Sequence, residues 1–340
     1  MTRIGQDNLD ASVKEGIISA EQAEALKSKA AAHPTSDEEP LNIVNNFGDV
    51  FIVIGLVMMM SAARGFTAFS SSASVLWVYG WFAVAYWVLA EIFMKGKPRR
   101  LALTVAAFLF AYMLFLMAGA QFGEVSIWSA ITGKTALAPW AVFFAALAVA
   151  YIRFKPPILV LALALTGTIL IFQAVRIYWA DAPALWVLGG CGISILITAV
   201  VLDAKDTSRS SNWNDAALWL FIVGSPMTIH SLFLSILWDS TGDYKNLNVT
   251  IALIVLLALT IALLGIILDR RPMVASTLVY LSGSLGYTVL QQSFSISLVA
   301  GVVPLIIGLT VIILGVAWHP LRRSLLRALP LGGLRPYLPK

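Results

Sequence analysis

After a polar N-terminal region of about 47 residues, the apolar positions of this chain run in ten long blocks separated by short polar breaks. The blocks lie near 49–66, 74–94, 101–120, 137–152, 157–175, 183–202, 214–237, 248–268, 273–292 and 296–318. A helix needs about 20 mostly apolar residues to cross the hydrocarbon core of a bilayer. Within lipid, only a helix satisfies every backbone donor and acceptor inside one such segment. The blocks are too long and too continuous for barrel strands. The pattern therefore predicts an all-α, polytopic integral membrane protein with about ten transmembrane helices. Pro139 and Arg153 bracket the fourth block tightly.

Composition agrees: 12% of residues are charged and 59% are hydrophobic, whereas soluble domains carry roughly 25% charged residues. The placement of charge adds orientation. All 23 Lys and Arg residues except Arg64, Lys134, Arg176 and Lys245 fall in the N-terminal region, the C-terminal tail or alternate breaks between them. By the positive-inside bias, both termini are then cytoplasmic. The net charge of +5 is accounted for by this basic inner rim facing anionic membrane lipids, and gives no reason to expect nucleic acid as a partner. The first 40 residues lack the apolar core of a cleavable signal peptide, so the first block is expected to direct insertion. The single cysteine, Cys191, lies in the sixth block and excludes an intrachain disulfide. An inner membrane of a bacterium suits such a chain. Three regions follow: a cytoplasmic helical hairpin with acidic linker over 1–40, the ten-helix domain over 41–319, and a basic amphipathic cytoplasmic tail over 320–340.

In the N-terminal region, 8–15 and 20–32 read as short helices broken at Gly16. Ser19 and Gln22 have capping-box spacing. Leu9, Val13, Ile17, Ile18, Ala23 and Leu26 are candidates for a seam between the helices, although so small a unit holds little core. The run Leu9-Asp10-Ala11 and Gly16-Ile17-Ile18-Ser19-Ala20-Glu21-Gln22-Ala23 resembles the N-terminal hairpin of a bacterial family of multi-span membrane proteins of unknown function. Phe47-Gly48-Asp49-Val50 with Ile54-Gly55-Leu56 is similar to that family's entry to its first span, and Trp318-His319-Pro320-Leu321-Arg322-Arg323 to tails of the same group. The resemblance implies a membrane fold with a cytoplasmic hairpin and carries no activity or site residue. The hairpin at 1–40 is the place where a protein partner would bind.

Ionisable groups inside spans are costly and are candidate functional sites. The outward-running blocks end in Arg64, in Gln121 with Glu124, in Gln173 with Arg176, in His230, and in Gln291 with Gln292. Together they would line a substrate-binding cavity open to the outside, or else decorate the interface separately. His230 stands four residues after Pro226, whose ring removes a backbone donor. Pro226 and, in the last block, Pro304 are the expected hinges. Gly189, Gly190, Gly192 and Ser194, the Ser282/Gly286 pair, and Gly301, Gly308 and Gly315 read as smooth packing faces. Tryptophans 77, 81, 87, 140, 179, 186, 238 and 318 lie near block ends, as in an aromatic belt. Residues 320–329 form an amphipathic helix expected to rest on the inner leaflet. Asp239 and Asp243 fall short of a calcium loop, and the histidines at 33, 230 and 319 are too dispersed for a metal site, so no metal or cofactor is expected.

Three functions compete. A small-solute or ion carrier explains ten spans, short loops and proline-bearing helices, and is the preferred reading. A sensor, assembly factor or scaffold acting through the hairpin explains the scarcity of charge within the spans. A lipid-modifying enzyme would need a catalytic cluster, and neither a Ser/His/Asp set nor paired intramembrane aspartates appear; the chain is expected not to be an enzyme.

Overall fold

The computed structural model describes residues 12–32, 47–68, 72–95, 99–122, 137–205, 212–237, 247–290 and 296–329. The described residues are helical throughout apart from short turns. Contacts divide the chain into two units, 1–43 and 44–340.

In the first unit, α1 spans Ala20–Ala32. Its start is the capping box expected from the sequence: the Gln22 amide donates to Ser19 Oγ at 3.1 Å, and the Ser19 amide to Gln22 Oε1 at 2.9 Å. Gly16, with φ +71, turns the chain before it, and a positive φ comes at little steric cost only for glycine. The seam is thinner than expected. Ala23 is buried, whereas Ile17 and Leu26 are exposed. Leu9 and the acidic linker lie outside the described residues.

The second unit holds α2 (Phe47–Ala68), α3 (Ser72–Met94), α4 (Arg100–Phe122), α5 (Leu137–Phe154), α6 (Leu159–Tyr178), α7 (Ala184–Lys205), α8 (Asn212–Leu237), α9 (Leu247–Ile267), α10 (Arg271–Leu290) and α11 (Ile296–Ala328). Each apolar block of the sequence is one of these helices. Eight of them, α2 to α8 and α11, are long and apolar enough to cross a membrane, as in a polytopic membrane protein. In α9 the qualifying apolar stretch is the shorter Ala252–Ile267. The helix α10 is diluted by Ser276, Thr277, Ser282, Ser284 and Thr288.

Two larger cores, of three among the described residues, organise the unit. One gathers Leu56, Tyr86, Met113, Phe115, Phe143 and Leu147 from α2 to α5, closed by Leu159 of α6. Tyr86 Oη ties α3 to α2 by donating to the Leu56 carbonyl at 2.9 Å. The other gathers Ala199, Phe221, Ile229, Phe233, Ile254 and Met273 from α7 to α10. Lipid is as apolar as leucine, so such helices associate through close packing and hydrogen bonds rather than through exclusion of water. The centres are α4 and α8, with 56% and 61% of their apolar windows buried, against 6% for α11.

The turns at one end are sharply defined. The helix α5 closes with Lys155 at φ 55, its amide donating to the Tyr151 carbonyl at 2.8 Å, before Pro156 and Pro157 end the helix. The helix α9 closes in a Schellman turn. Arg270 N–H bonds the Gly265 carbonyl at 2.8 Å, Asp269 N–H bonds the Ile266 carbonyl at 3.1 Å, and Asp269 takes φ 55. Gly265 is required for this hairpin: a Cβ there would lie 2.8 Å from Val274 Cγ2 and 3.1 Å from Met273 Cβ.

Three expectations are revised. Trp140 and Trp318 are buried in packing instead of lying in an aromatic belt, whereas Trp77, Trp81, Trp179 and Trp186 are exposed. The amphipathic segment after 320 continues α11 without a break. Its Leu321 and Leu325 pack against Ile266, Val274, Leu278 and Trp318 of the protein itself, which takes this face away from the leaflet. Among the glycine faces, Gly189 and Gly192 are in contact, whereas Gly301, Gly308 and Gly315 face open space.

Candidate functional site

The most buried helix, α8, carries a row of hydroxyls. Ser225, Thr228, Ser231 and Ser235 follow one another at intervals of three or four, which puts them on one face. That face packs on the glycines of α7. A Cβ at Gly189 would lie 2.5 Å from Ser231 Oγ, and one at Gly192 would lie 2.5 Å from Thr228 Oγ1 and 2.7 Å from the Thr228 amide nitrogen. Two hydroxyls turn back onto their own helix: Ser231 donates to the Thr228 carbonyl at 3.1 Å, and Ser235 to the Ser231 carbonyl at 2.7 Å. Ser225 Oγ and Thr228 Oγ1 are buried and have no hydrogen-bond partner among the described residues. The same holds for His230 Nδ1, on the adjoining face, where the imidazole meets Tyr280 of α10 edge-on at 5.4 Å between ring centroids. Pro226 sits among them within α8, so the Ile222 carbonyl lacks the amide donor that would ordinarily reach it. Burying a polar atom without a partner costs about 1–3 kcal/mol on the evidence of protein mutations. Several such atoms within one helical turn of a proline make a polar site inside an otherwise apolar bundle.

A second polar feature lies where α7 ends and α8 begins. The Schellman turn aims Arg270 into the bundle, where its side chain has 0% exposure. Its guanidinium makes a two-pronged ion pair with Asp203, Nε donating to Oδ2 at 3.2 Å and Nη2 to Oδ1. Nη2 also donates to Asn214 Oδ1 at 2.7 Å. The Phe221 ring lies 5.2 Å from the guanidinium carbon, a cation–π contact. The charges of Arg100 on α4 and Arg270 both act on Asp215. Next in sequence, Asp269 accepts the Trp318 indole N–H at 2.6 Å, which holds α11 to the same turn. In the sequence, Arg270 is one more positive charge of a break between blocks. The signal that was present is a carboxylate near the end of an apolar block, Asp203, followed by Asn214 and Asp215 at the start of the next.

The residues expected to line an outer cavity are placed as follows. Arg64 is exposed on α2 and donates to Tyr112 Oη of α4 at 3.2 Å. Gln121 is exposed at the end of α4. Gln173 is buried on α6 with 2% exposure, while Arg176, three residues on, is exposed. His230 is half-buried and belongs with Tyr280 in the second core; Arg64 and Tyr112 belong with the first. Glu124, Gln291 and Gln292 lie outside the described residues, as do Asp239 and Asp243. Both expected hinges lie in continuous helix, Pro226 in α8 and Pro304 in α11. Among the described residues no group of three or more His, Cys, Asp or Glu is placed to hold a metal ion. No protein-family model, no curated protein and no solved structure matches this chain, so the reading of its function rests on the geometry alone.

Proposed function

We propose that this protein is a carrier or permease for a small solute or ion, multi-pass in a bacterial inner membrane, with ten spans and both termini cytoplasmic. The supporting observation is the row of buried, unpartnered polar atoms on α8, namely Ser225 Oγ, Thr228 Oγ1 and His230 Nδ1, beside Pro226. Serine and threonine also let α7 and α8 approach closely, so the reading rests on the burial penalty that the unpartnered atoms carry until a ligand meets them. A helix that passes a solute through a bilayer uses such atoms, and within the continuous α8 Pro226 adds the Ile222 carbonyl, which lacks its amide donor. The test is thermal stability of the detergent-purified protein against alkali cations, halides, phosphate, amino acids and sugars at several pH values. A ligand of the folded state raises the melting temperature by mass action. At least one probe should do so for the native chain and fail with Thr228→Val or His230→Ala, and the same substitutions should abolish flux of that probe into proteoliposomes. Unchanged flux in both variants would overturn the assignment.

The separation of 1–43 as its own unit favours a second reading, a scaffold acting through its cytoplasmic hairpin. On that reading, deletion of 1–40 abolishes the phenotype of the gene while the protein still inserts; retention of the phenotype excludes it.

A further inference from the structure

A cleft of about 470 Å³ runs between α10 and α11, walled by Val274, Leu278, Val311 and Gly315 and ending at Arg271 and Trp318. We propose that it binds one anionic phospholipid, with an acyl chain along the cleft and the headgroup phosphate on Arg271. The apolar walls come from two of the helices built from apolar blocks, and the flank of α11 beside them is exposed at Leu305, Ile312 and Val316. In a bilayer, hydrocarbon chains surround such a flank. A methylene occupies about the volume of a water, whose share of the liquid is about 30 Å³, so the cleft admits on the order of fifteen methylene groups, about one acyl chain.

The headgroup preference comes from charge. Asp269 is the last acidic residue of the chain; Arg270, Arg271, Arg322, Arg323, Arg327, Arg335 and Lys340 all follow it. Arg270 is engaged in its ion pair with Asp203, and the Asp269 carboxylate, which keeps its single negative charge, accepts the Trp318 indole N–H, so the arginines that follow outnumber it. That bond fixes the indole ring, over which the exposed Arg271 guanidinium lies 5.8 Å from the ring centroid. Arg322 follows Trp318 by one helical turn and adds positive charge on the same face. A guanidinium presents a donor fork that fits phosphate.

The experiment is native mass spectrometry of the full chain in detergent, titrated with phosphatidylglycerol or phosphatidylcholine of identical acyl chains. The native chain should bind phosphatidylglycerol about fivefold more tightly, the factor that one arginine near an anionic headgroup contributes. Arg271→Gln should bring the two lipids to equal affinity by weakening only phosphatidylglycerol. Gly315→Leu, at a position with open space around it, should fill the cleft and weaken both lipids. Arg327→Gln, on the opposite side of α11 from Trp318, should change neither. Equal affinity for both lipids in the native chain, preference retained in Arg271→Gln, or an equal loss in Arg327→Gln would each overturn the proposal.

Discussion

Removing the Asp203 carboxylate leaves the guanidinium of Arg270 buried without the ion pair that holds it. Arg270 has 0% exposure and Asp203 4%, and both carboxylate oxygens are engaged. In Asp203→Ala, Arg270 loses the carboxylate that pairs with it in two places and retains neutral contacts with the Asn214 amide oxygen and the Phe221 ring, together with the charge of Asp215. Breaking a buried pair from one side costs about 3–5 kcal/mol. By contrast, the Glu91–Arg153 pair, also two-pronged at 2.9 and 2.8 Å, has side chains 25% and 47% exposed, and pairs of that kind contribute about 0–1 kcal/mol. Equilibrium unfolding in mixed micelles measures both. Asp203→Ala should lose several times the stability lost by Glu91→Ala. Replacing both buried partners, as in Asp203→Leu with Arg270→Met, should recover most of the loss, because no charge is then stranded. A loss below about 1 kcal/mol in Asp203→Ala, or a double variant no better than the single one, would refute the reasoning.

Four more outcomes are expected. Gly192→Ala places a methyl 2.7 Å from the Thr228 amide nitrogen and 3.1 Å from its Cα; since backbone cannot rotate aside, α7 and α8 must separate at a cost of about 1–3 kcal/mol, whereas Gly190→Ala, with open space around it, should unfold like the native chain. Gly265→Ala should lower stability similarly by pressing on Met273 and Val274. Trp318→Phe removes the donor to Asp269 and should cost about 1.5–3 kcal/mol, the range for a hydrogen bond to a charged group, read by the same unfolding assay. Tyr280→Ala should cost about 0.5–1.5 kcal/mol beyond lost area through the missing edge-on contact with His230, and an unchanged His230 imidazole resonance in NMR of the variant would contradict that contact.

The helices were legible because burial in lipid is a local property of the chain. A run of apolar residues is enough to specify a helix there, and the fourth block at 137–152 became Leu137–Phe154 with little drift. What each helix packs against was not legible. Arg270 and Asp203 are 67 residues apart, and Arg270 and Asn214 are 56 apart, so nothing local distinguishes this arginine from a solvated one. Likewise Trp140 and Trp318 lie near block ends as belt tryptophans do, and only tertiary packing buries them. The hydroxyl spacing on α8 was readable, but its meaning depends on Gly189 and Gly192 of a different helix. The apolar block to 318 and the amphipathic helix at 320–329 are one helix, α11, although Pro320 and the arginines beyond it look like a boundary in the sequence. One proline removes one hydrogen bond and leaves the rest of the ladder to carry the helix onward.

That continuity has a mechanical consequence. At 33 residues and 1.5 Å per residue, α11 is about 50 Å long, against a hydrocarbon core of about 30 Å. It is a lever whose arm overhangs the slab it crosses. If it pivots at one end, a tilt of about ten degrees, well inside the range of membrane helices, sweeps the other end sideways by about 9 Å. Trp318, Leu321 and Leu325 hold the arginine-bearing end to α9 and α10, so that end is the pivot, and small rotations there are amplified at the Ile296 end.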